Sequence, residues 1–400
     1  PHFIPHGGVE KHLIELSMEL IKKKILNLVL AFNTDSNTFR IYKPANLNTP
    51  VNYPEVERVT TLVISRMNIP RYFLLTNVMP KYIKEFLIST YYEARIRHII
   101  DKVFNYNMRK LRAVYAIEPL AIASVKLLER YLRKRGTRLI AGIHTSWDFR
   151  NNMTRYMAAY LLKTFDICIV SNVNTLTYQR ISNLCKTTYF IPNWVDASRF
   201  KPRSELRAYV RKLFGLPQDA TVLLSNFRFV HEKNPFNLIK AFKILLDKVK
   251  KNLFMVIVGQ GLLEEHIIAL IQKLDLINKI KILKPLSYLD EKSPLLYNAA
   301  DIFVHVPVHE GVSIAVLEAM ASSLPVVHSD VPGIPEDIRN ALVLANPYSP
   351  KDIANKLTEI IKDPHLREDY ALRGLKVTTH NYEKTIVLNK YLSILSKFIE

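Results

Sequence analysis

Short apolar runs rich in β-branched residues alternate with stretches of helical periodicity along most of the chain. Clear apolar runs cover residues 113–117, 138–143 and 254–258. Patterns of helical period, such as those over 235–249 and 262–274, separate runs of this kind. The alternation predicts doubly wound α/β domains with parallel sheets.

The length and the breaks in this pattern indicate where the domains meet. A chain of 400 residues suggests two domains of ordinary size. The patterning is interrupted over 192–205, where Pro, Asn, Asp and basic residues cluster. We therefore expect an N-terminal domain over 1–200 and a C-terminal domain over 201–381. An amphipathic helix is predicted over 382–400 and, because it follows a complete domain, it is free to pack back on the first.

The composition is globular and strongly basic. Hydrophobic residues make up 48% of the chain and charged residues 23%, with a formal net charge of +20. Residues 1–200 hold 29 Lys and Arg against 14 Asp and Glu, and residues 201–400 hold 27 against 22, so the excess of +15 against +5 lies in the first half. This excess predicts an anionic acceptor, an acidic membrane surface or nucleic acid as partner, or reflects an ordinary charged surface.

The cysteine count and the hydropathy bear on the compartment. Cys168 and Cys185 are the only cysteines, so we expect no disulfide framework, no metal cluster and a reducing, cytoplasmic setting. No apolar stretch reaches the roughly 18 residues of a spanning helix, and no signal-peptide pattern is visible. The chain begins with Pro1, which is consistent with a missing upstream segment.

Two carboxylates stand eight positions apart where a predicted strand becomes a helix. The run 302–306 predicts a buried strand, and 312–321 a helix that follows a loop carrying Glu310. Glu318 then lies a little over one turn inside the helix. Free amides of the first turn attract an anion between the two carboxylates. A donor with a diphosphate between hydroxyl-rich groups fits this layout, although the bare spacing taken alone favours two solvated carboxylates at a helix start.

Other candidate residues follow predicted strands or open predicted helices. They are the loop glycines Gly7 and Gly8, His144, the cations Arg228 and Lys233, and the turn Gly259-Gln260-Gly261. Glycines let backbone amides approach a phosphate, and the two cations suit a pyrophosphate. Each also has an ordinary structural explanation: a tight turn, a polar loop residue or a solvated charge. The glycine turn lacks the spacing of a dinucleotide fingerprint, which disfavours a dehydrogenase.

Taken together and in order, these motifs resemble the family 4 glycosyltransferases of group 1, retaining enzymes of the GT-B fold. The motifs are Gly7-Gly8-Val9-Glu10, His144, Ile191-Pro192-Asn193-Trp194-Val195-Asp196, Arg228 with Lys233, Val258-Gly259-Gln260-Gly261, and the stretch from Glu310 to Ala321. The resemblance is strong over 190–335 and looser between about 30 and 110. It implies two Rossmann-like domains that face each other across a cleft.

The resemblance also implies the chemistry. A hexosyl unit would pass from a nucleotide-sugar, held mainly by the second domain, to a glycan or lipid-linked acceptor, held mainly by the first. Glu310 would contact the sugar and Glu318 the ribose, without a metal or other cofactor. The implied catalytic residues are Glu310, His144, Arg228 and Lys233. The implied donor-binding residues are Gly7, Gly8, Arg228, Lys233, Gly259, Glu310, Gly311, Val312, Ser313, Ile314 and Glu318.

Several positions depart from the family pattern. Val312 and Ser313 stand where Phe-Gly is frequent, and we expect Ser313 to cap the helix so that phosphate binding survives. Phe227 and Trp194 each replace a usual glycine. The strand that normally precedes the Gly7 loop is almost absent. Unless an upstream segment is missing, the first sheet would lack a central strand.

The basic first half of the chain suggests possible partners, and two rival functions are open. Residues 81–112 mix apolar and basic side chains, which resembles a segment for anionic membranes, although an ordinary amphipathic helix has the same pattern. One rival function is another GT-B activity, such as a nucleotide-sugar epimerase. Another is a non-catalytic basic GT-B-like binding protein. Nucleic acid is not the expected partner, since no aromatic-basic RNA motif is visible.

Overall fold

The computed structural model describes residues 15–16, 27–33, 38–43, 46–50, 61–64, 113–117, 119–144, 152–171, 175–286 and 290–399. The chain divides into two compact units, one of residues 1–192 with 388–400 and one of residues 193–387. The predicted Gly7–Gly8 loop and the predicted segment 81–112 lie outside the described residues.

Among its described residues, the first unit contains a sheet of eight strands in the order β3-β2-β1-β4-β5-β6-β7-β8. Its strands are β1 (Asn27–Asn33), β2 (Thr38–Lys43), β3 (Asn46–Pro50), β4 (Thr61–Ile64), β5 (Ala113–Ile117), β6 (Arg138–Ile143), β7 (Ile167–Val170) and β8 (Thr188–Phe190). All neighbours are parallel except β1–β2 and β2–β3, which pair antiparallel. The sequence did not predict β2 or β3. The outermost strand β3 ends in Pro50, a residue that an edge strand tolerates.

Helices and one buried tyrosine pair complete the described part of the first unit. The helices are α1 (Pro119–Leu127), α2 (Glu129–Arg133), α3 (Asn152–Leu162) and α4 (Thr175–Ser182). Tyr115 of β5 and Tyr391, near the C-terminus, are both buried, and their hydroxyls lie 3.3 Å apart. Gly142 makes room for this pair, because a Cβ there would lie 2.6 Å from the Tyr115 hydroxyl.

The two cysteines form a disulfide. Cys168 in β7 is bonded to Cys185, with an S–S distance of 2.04 Å across a sequence separation of 17. The expectation that two cysteines give no disulfide is therefore wrong, and the cysteine count loses its value as an argument for a reducing compartment. The chain that follows β7 through α4 returns to the side of β7 and brings Cys185 to Cys168. The spacing of the two cysteines in the sequence does not reveal this.

The second unit is built on six parallel strands in the order β11-β10-β9-β12-β13-β14. They are β9 (Thr221–Asn226), β10 (Leu253–Val258), β11 (Ile280–Leu283), β12 (Ile302–His305), β13 (Val326–Ser329) and β14 (Val343–Ala345). The order reverses between β9 and β12. In doubly wound sheets a crevice for ligands opens at this point, outside the carboxyl ends of the strands.

Apolar helices cover both faces of the second sheet. The helices are α5 (Arg207–Leu213), α6 (Pro235–Lys248), α7 (Glu264–Lys273), α8 (Lys292–Asn298), α9 (Ile314–Ala321), α10 (Glu336–Arg339), α11 (Pro350–Lys362), α12 (Pro364–Asn381) and α13 (Lys384–Ile399), the last of which belongs to the first unit from Leu388 onward. Residues of α6, α7 and α11 share one buried cluster with the sheet. Residues of α5, α8 and α9 form the other.

A buried arginine joins α5 to the start of this sheet. The Arg211 side chain is 1% exposed and its Nη2 lies 2.9 Å from Asp301 Oδ2. Its other nitrogens donate to the carbonyls of Ala299, Pro217, Gln218 and Ala220. These bonds satisfy a charge that burial would otherwise penalise.

Replacing Arg211 by leucine is therefore expected to destabilise the second unit by about 3 kcal/mol. The substitution leaves the Asp301 carboxylate and the buried carbonyls without the hydrogen bonds that Arg211 donates. Urea unfolding followed by circular dichroism measures this loss. Arg207 is the matched control, since it also bonds Asp301 but its side chain is 39% exposed. Arg207→Leu should cost about 1 kcal/mol or less. Equal losses in the two variants would contradict this account of the buried bridge.

Candidate functional site

A buried ion pair lies at the carboxyl ends of β9 and β12, where the strand order reverses. Lys233 ends a short 3₁₀ turn, His231–Lys233, that follows β9. Glu310 lies in the loop after β12. Lys233 Nζ is 2.5 Å from Glu310 Oε2, with the two side chains 14% and 8% exposed. The fold thus brings together two residues that the sequence predicted for one site and that are 77 positions apart.

A histidine missed by the sequence analysis completes this cluster. His305, the last residue of β12, has Nε2 at 2.6 Å from the same oxygen, Glu310 Oε2. Burial alone would raise the pKa of Glu310, but the Lys233 charge and the His305 bond outweigh it and hold that pKa well below its usual range. The carboxylate therefore stays charged inside the protein. A polar residue inside the apolar run 302–306 is the signal that could have found His305.

Backbone and amide contacts hold the loop that carries Glu310. The Val308 amide donates to the Glu232 carbonyl at 3.0 Å. Asn234 has a left-handed backbone, with φ 56°, and its Nδ2 donates to the carbonyls of Val306 at 3.0 Å and Pro347 at 2.7 Å. Asparagine tolerates this conformation better than most residues. The loop is thus tied to the turn after β9, and Asn234 links that turn to the turn after β14 as well.

The loop ends at the N-terminus of α9. Ser313 is the N-cap residue, but its side chain makes no capping hydrogen bond. The expectation that Ser313 caps the helix is therefore wrong. Its carbonyl instead accepts the amides of Val316 and Leu317, both at 3.1 Å. Amides of the residues before Val316 precede the helical ladder, and such amides suit an anion.

Neighbouring residues fix the path into this helix. Asn193 Nδ2 donates to the Val312 carbonyl at 2.9 Å, and both residues are buried. Val312 belongs to the apolar cluster under α8 and α9. Gly311 is buried beside it, while Ser313 and Ile314 are partly exposed. The first turn of α9 thus has one apolar side anchored in the core.

The second predicted carboxylate lies in a different environment. Glu318 is 1% exposed, and its Oε2 accepts the Tyr297 hydroxyl at 2.6 Å. Asn226 Nδ2 donates to that hydroxyl oxygen at 3.2 Å. Burial and the neighbouring Glu318 raise the pKa of Tyr297, so that the phenol stays a donor. The chain of bonds runs from the end of β9 to α9.

Arg228 projects from the loop after β9 and is exposed. The same loop is held against the glycine turn after β10, where the Phe229 amide donates to the Gln260 carbonyl at 3.0 Å. A Cβ on Gly259 would lie 2.2 Å from the Phe227 carbonyl oxygen, and one on Gly261 would lie 2.7 Å from the Phe229 carbonyl oxygen. The structure therefore gives these glycines a packing role, as a close fit for the loop that carries Arg228.

His144 belongs to the first unit, where it follows β6. It is 5% exposed, and burial lowers its pKa to about 4, so that the ring is neutral at pH 7. Gly7 and Gly8, predicted for the same site, lie outside the described residues.

In the described ranges, no group of three or more His, Cys, Asp or Glu could hold a metal ion, and metal independence stays a prediction. In that same part of the chain, none of the helices combines the length and the apolar character needed to cross a bilayer.

Residues 209–377 match the family described as Glycosyl transferases, group 1. The match agrees with the resemblance to the group 1 glycosyltransferases that the sequence motifs indicate. The match contains the cluster at Lys233, His305 and Glu310 as well as Glu318.

Curated relatives align over part of their length. The chain is 37% identical over 86 residues to an O-antigen chain mannosyltransferase B of Escherichia coli, which covers 22% of this chain and 23% of the relative. It is 32% identical over 194 residues to a GDP-mannose-dependent monoacylated alpha-(1-6)-phosphatidylinositol monomannoside mannosyltransferase of Corynebacterium glutamicum, covering 46% and 49%. The chain thus spans about half, or less, of the length of these relatives.

Solved structures share the fold over nearly the whole chain. A glycosyltransferase from Rickettsia africae superposes with a TM-score of 0.67 at 17% identity and covers 98% of this chain and 96% of that one. An Anabaena protein, HepE, in complex with UDP and glucose superposes with a TM-score of 0.66 at 16% identity, covering 86% and 93%. The fold is GT-B, with two Rossmann-like domains.

Gly259→Ala should destabilise the second unit by about 1–3 kcal/mol, because the added Cβ meets backbone atoms that cannot move without cost. Gly374→Ala is the control, since its Cβ would meet only the flexible Met320 side chain, at 3.2 Å. That variant should stay within about 1 kcal/mol of the wild type. Midpoints of urea unfolding compare the two, and a neutral Gly259→Ala would refute the close-fit role.

Acid should begin to destabilise the protein as the pH falls below about 6.5, the ordinary pKa of histidine. Burial lowers the pKa of His328 from 6.5 to about 4 and lowers that of His144 to about 4. Between about pH 6.5 and pH 4 the unfolded chain binds more protons at these histidines than the folded one, so the free energy of unfolding decreases as the pH falls. Thermal unfolding at a series of pH values measures the slope. His328→Asn should flatten it, and an unchanged slope in that variant would contradict the assignment.

Proposed function

We propose that this chain is a retaining glycosyltransferase that moves a hexosyl unit from a nucleotide-sugar to an acceptor. The observation that carries the proposal is the charged cluster of Lys233, Glu310 and His305 beside the open amides of α9. A cation, a fixed carboxylate and free amides meet there, where a doubly wound sheet binds ligands. In a sugar diphosphate, the phosphates would match the cation and the amides, and the sugar hydroxyls would match the carboxylate.

The parts of the donor can be matched to individual residues. Lys233 and Arg228 would bind the diphosphate, together with the amides of Val312, Ser313 and Ile314. Glu310 would accept hydroxyl protons of the transferred sugar. Glu318 would do the same for the ribose, His144 would lie near the reacting sugar, and Gly8 would approach the phosphates. The relative from Corynebacterium is named for GDP-mannose, which supports including that donor among the first tests.

The proposed chemistry relies on stabilising the leaving group. Glycosyl transfer through an oxocarbenium-like state builds negative charge on the departing diphosphate. Lys233, Arg228 and the helix amides would neutralise it, and preorganised donors of this kind are typically worth about 3–4 kcal/mol each. An oxygen of the leaving group can take the acceptor's proton, so that no strong protein base is needed.

The acceptor we propose is a glycan or a lipid-linked glycan. The names of two relatives, for an O-antigen chain and for a phosphatidylinositol mannoside, support this class. The charge excess in residues 1–200 supports an anionic membrane surface as the place of action. The cytoplasmic side of that membrane stays a prediction.

Alanine at Glu310, Lys233 or Arg228 should lower turnover by about 100-fold or more, because each change removes a group that contacts the donor. A panel of nucleotide-sugars, incubated with and without membrane extract, is assayed for release of nucleoside diphosphate and for transferred sugar. Product with the donor's anomeric configuration is expected.

Lys240→Ala is the matched control, since Lys240 is an exposed lysine of α6 and should keep full activity. Circular dichroism checks that each variant is folded. Full activity of Glu310→Ala and Lys233→Ala would overturn the site. Conversion of the donor without any acceptor would indicate an epimerase instead.

A further inference from the structure

His305 is the part of the charged cluster that neither the motif nor the proposed chemistry accounts for. It ends β12, is 1% exposed, and packs against the rings of Phe303, Phe227 and His328 at centroid distances of 6.3, 6.4 and 5.5 Å. A ring enclosed in this way has little freedom to change rotamer. Its Nε2 is therefore a donor with a fixed position.

The partners of the two histidines determine their tautomers. Glu310 Oε2 can only accept, since that carboxylate stays charged, so His305 carries its proton on Nε2. His328 carries its proton on Nδ1, because that atom faces the Ser329 carbonyl at 2.9 Å. His305 Nδ1 is buried without a partner among the described residues, which is consistent with an unprotonated nitrogen.

Both donors to Glu310 use one oxygen. Lys233 Nζ and His305 Nε2 lie 2.5 and 2.6 Å from Oε2. In the described part of the chain, Oε1 has no hydrogen-bond donor. A carboxylate held through one oxygen cannot rotate without losing both bonds, so the direction of Oε1 is fixed as well. Lys233 is the weaker constraint, because its flexible stem must also serve the diphosphate.

We propose that His305 positions Glu310 so that Oε1 accepts a hydroxyl proton of the transferred sugar, and that it thereby sets the discrimination between donor sugars. The proposal rests on the proposed function of this site. His305 acts through Glu310 and does not itself touch the donor. A hydroxyl on the wrong epimeric position would leave the fixed oxygen unpaired, which costs more than a bond to a mobile group.

His305→Asn tests the proposal, because the shorter amide cannot reach the position of Nε2. Turnover should fall about 10- to 100-fold, the expected range for losing a hydrogen bond to a charged group. The ratio of rates for two donors that are epimers at one sugar hydroxyl should move toward unity. Affinity for the free nucleoside diphosphate, measured by calorimetry, should change by less than about threefold. His305→Gln, whose amide reaches the Nε2 position, should recover most of the turnover and of the discrimination.

His266→Asn is the matched control, since it makes the same change at an exposed histidine of α7 that does not bond Glu310 in the described structure. It should keep the discrimination. Glu310→Gln combined with His305→Asn should be no slower than Glu310→Gln alone. Unchanged discrimination in His305→Asn, or a parallel loss of nucleoside diphosphate affinity, would overturn the positioning role. A wild-type protein that neither binds nucleoside diphosphates nor transfers sugar would instead refute the proposed function.

Discussion

A carboxylate buried in the second unit must be paired, and the arrangement of the site depends on how that is done. Burying an isolated charge costs more free energy than the net stability of a typical folded protein. Glu310 avoids this cost through Lys233, from the turn after β9, and His305, from β12. These elements are neighbours only because β12 lies beside β9 in the sheet. The ion cluster therefore fixes the loop, and the loop fixes where α9 begins.

The two carboxylates of the motif, Glu310 and Glu318, are held by different kinds of partner. The charge of Glu310 is held by a cation and a histidine, both through Oε2, and Oε1 has no hydrogen-bond donor in the described part of the chain. Glu318 accepts the Tyr297 hydroxyl, which in turn accepts the Asn226 amide, so neutral donors contribute to holding this second carboxylate. The environment of Glu310 argues against an acid–base couple, because its pKa is held well below the usual range and it cannot act as a proton donor at neutral pH.

Buried strands were the easiest elements to predict, because apolar β-branched runs bounded by turns have few other structures open to them. The predicted ranges 113–117 and 138–143 coincide with β5 and β6. The hairpin strands β2 and β3 were missed, since the alternation in β2 is short, with Phe39 and Ile41, and β3 has Leu47 as its one large apolar residue. Helix α12 was missed for a related reason: its apolar residues form no continuous stripe. Ser313 was expected to cap α9 by its residue type, but its carbonyl is the group that begins the helix.

The sequence alone determined the α/β rhythm and the residue types of the site, because periodicity and motif order are local properties of the chain. The order of the motifs assigned Glu310, Lys233 and Arg228 to one predicted donor site. Only the tertiary structure decided which atoms meet. Strand order joined His305 and Lys233 to one oxygen of Glu310, brought Cys168 to Cys185, and pressed Gly259 against the loop of Phe227. Such contacts depend on which strands become neighbours, and that follows from the packing of the whole sheet.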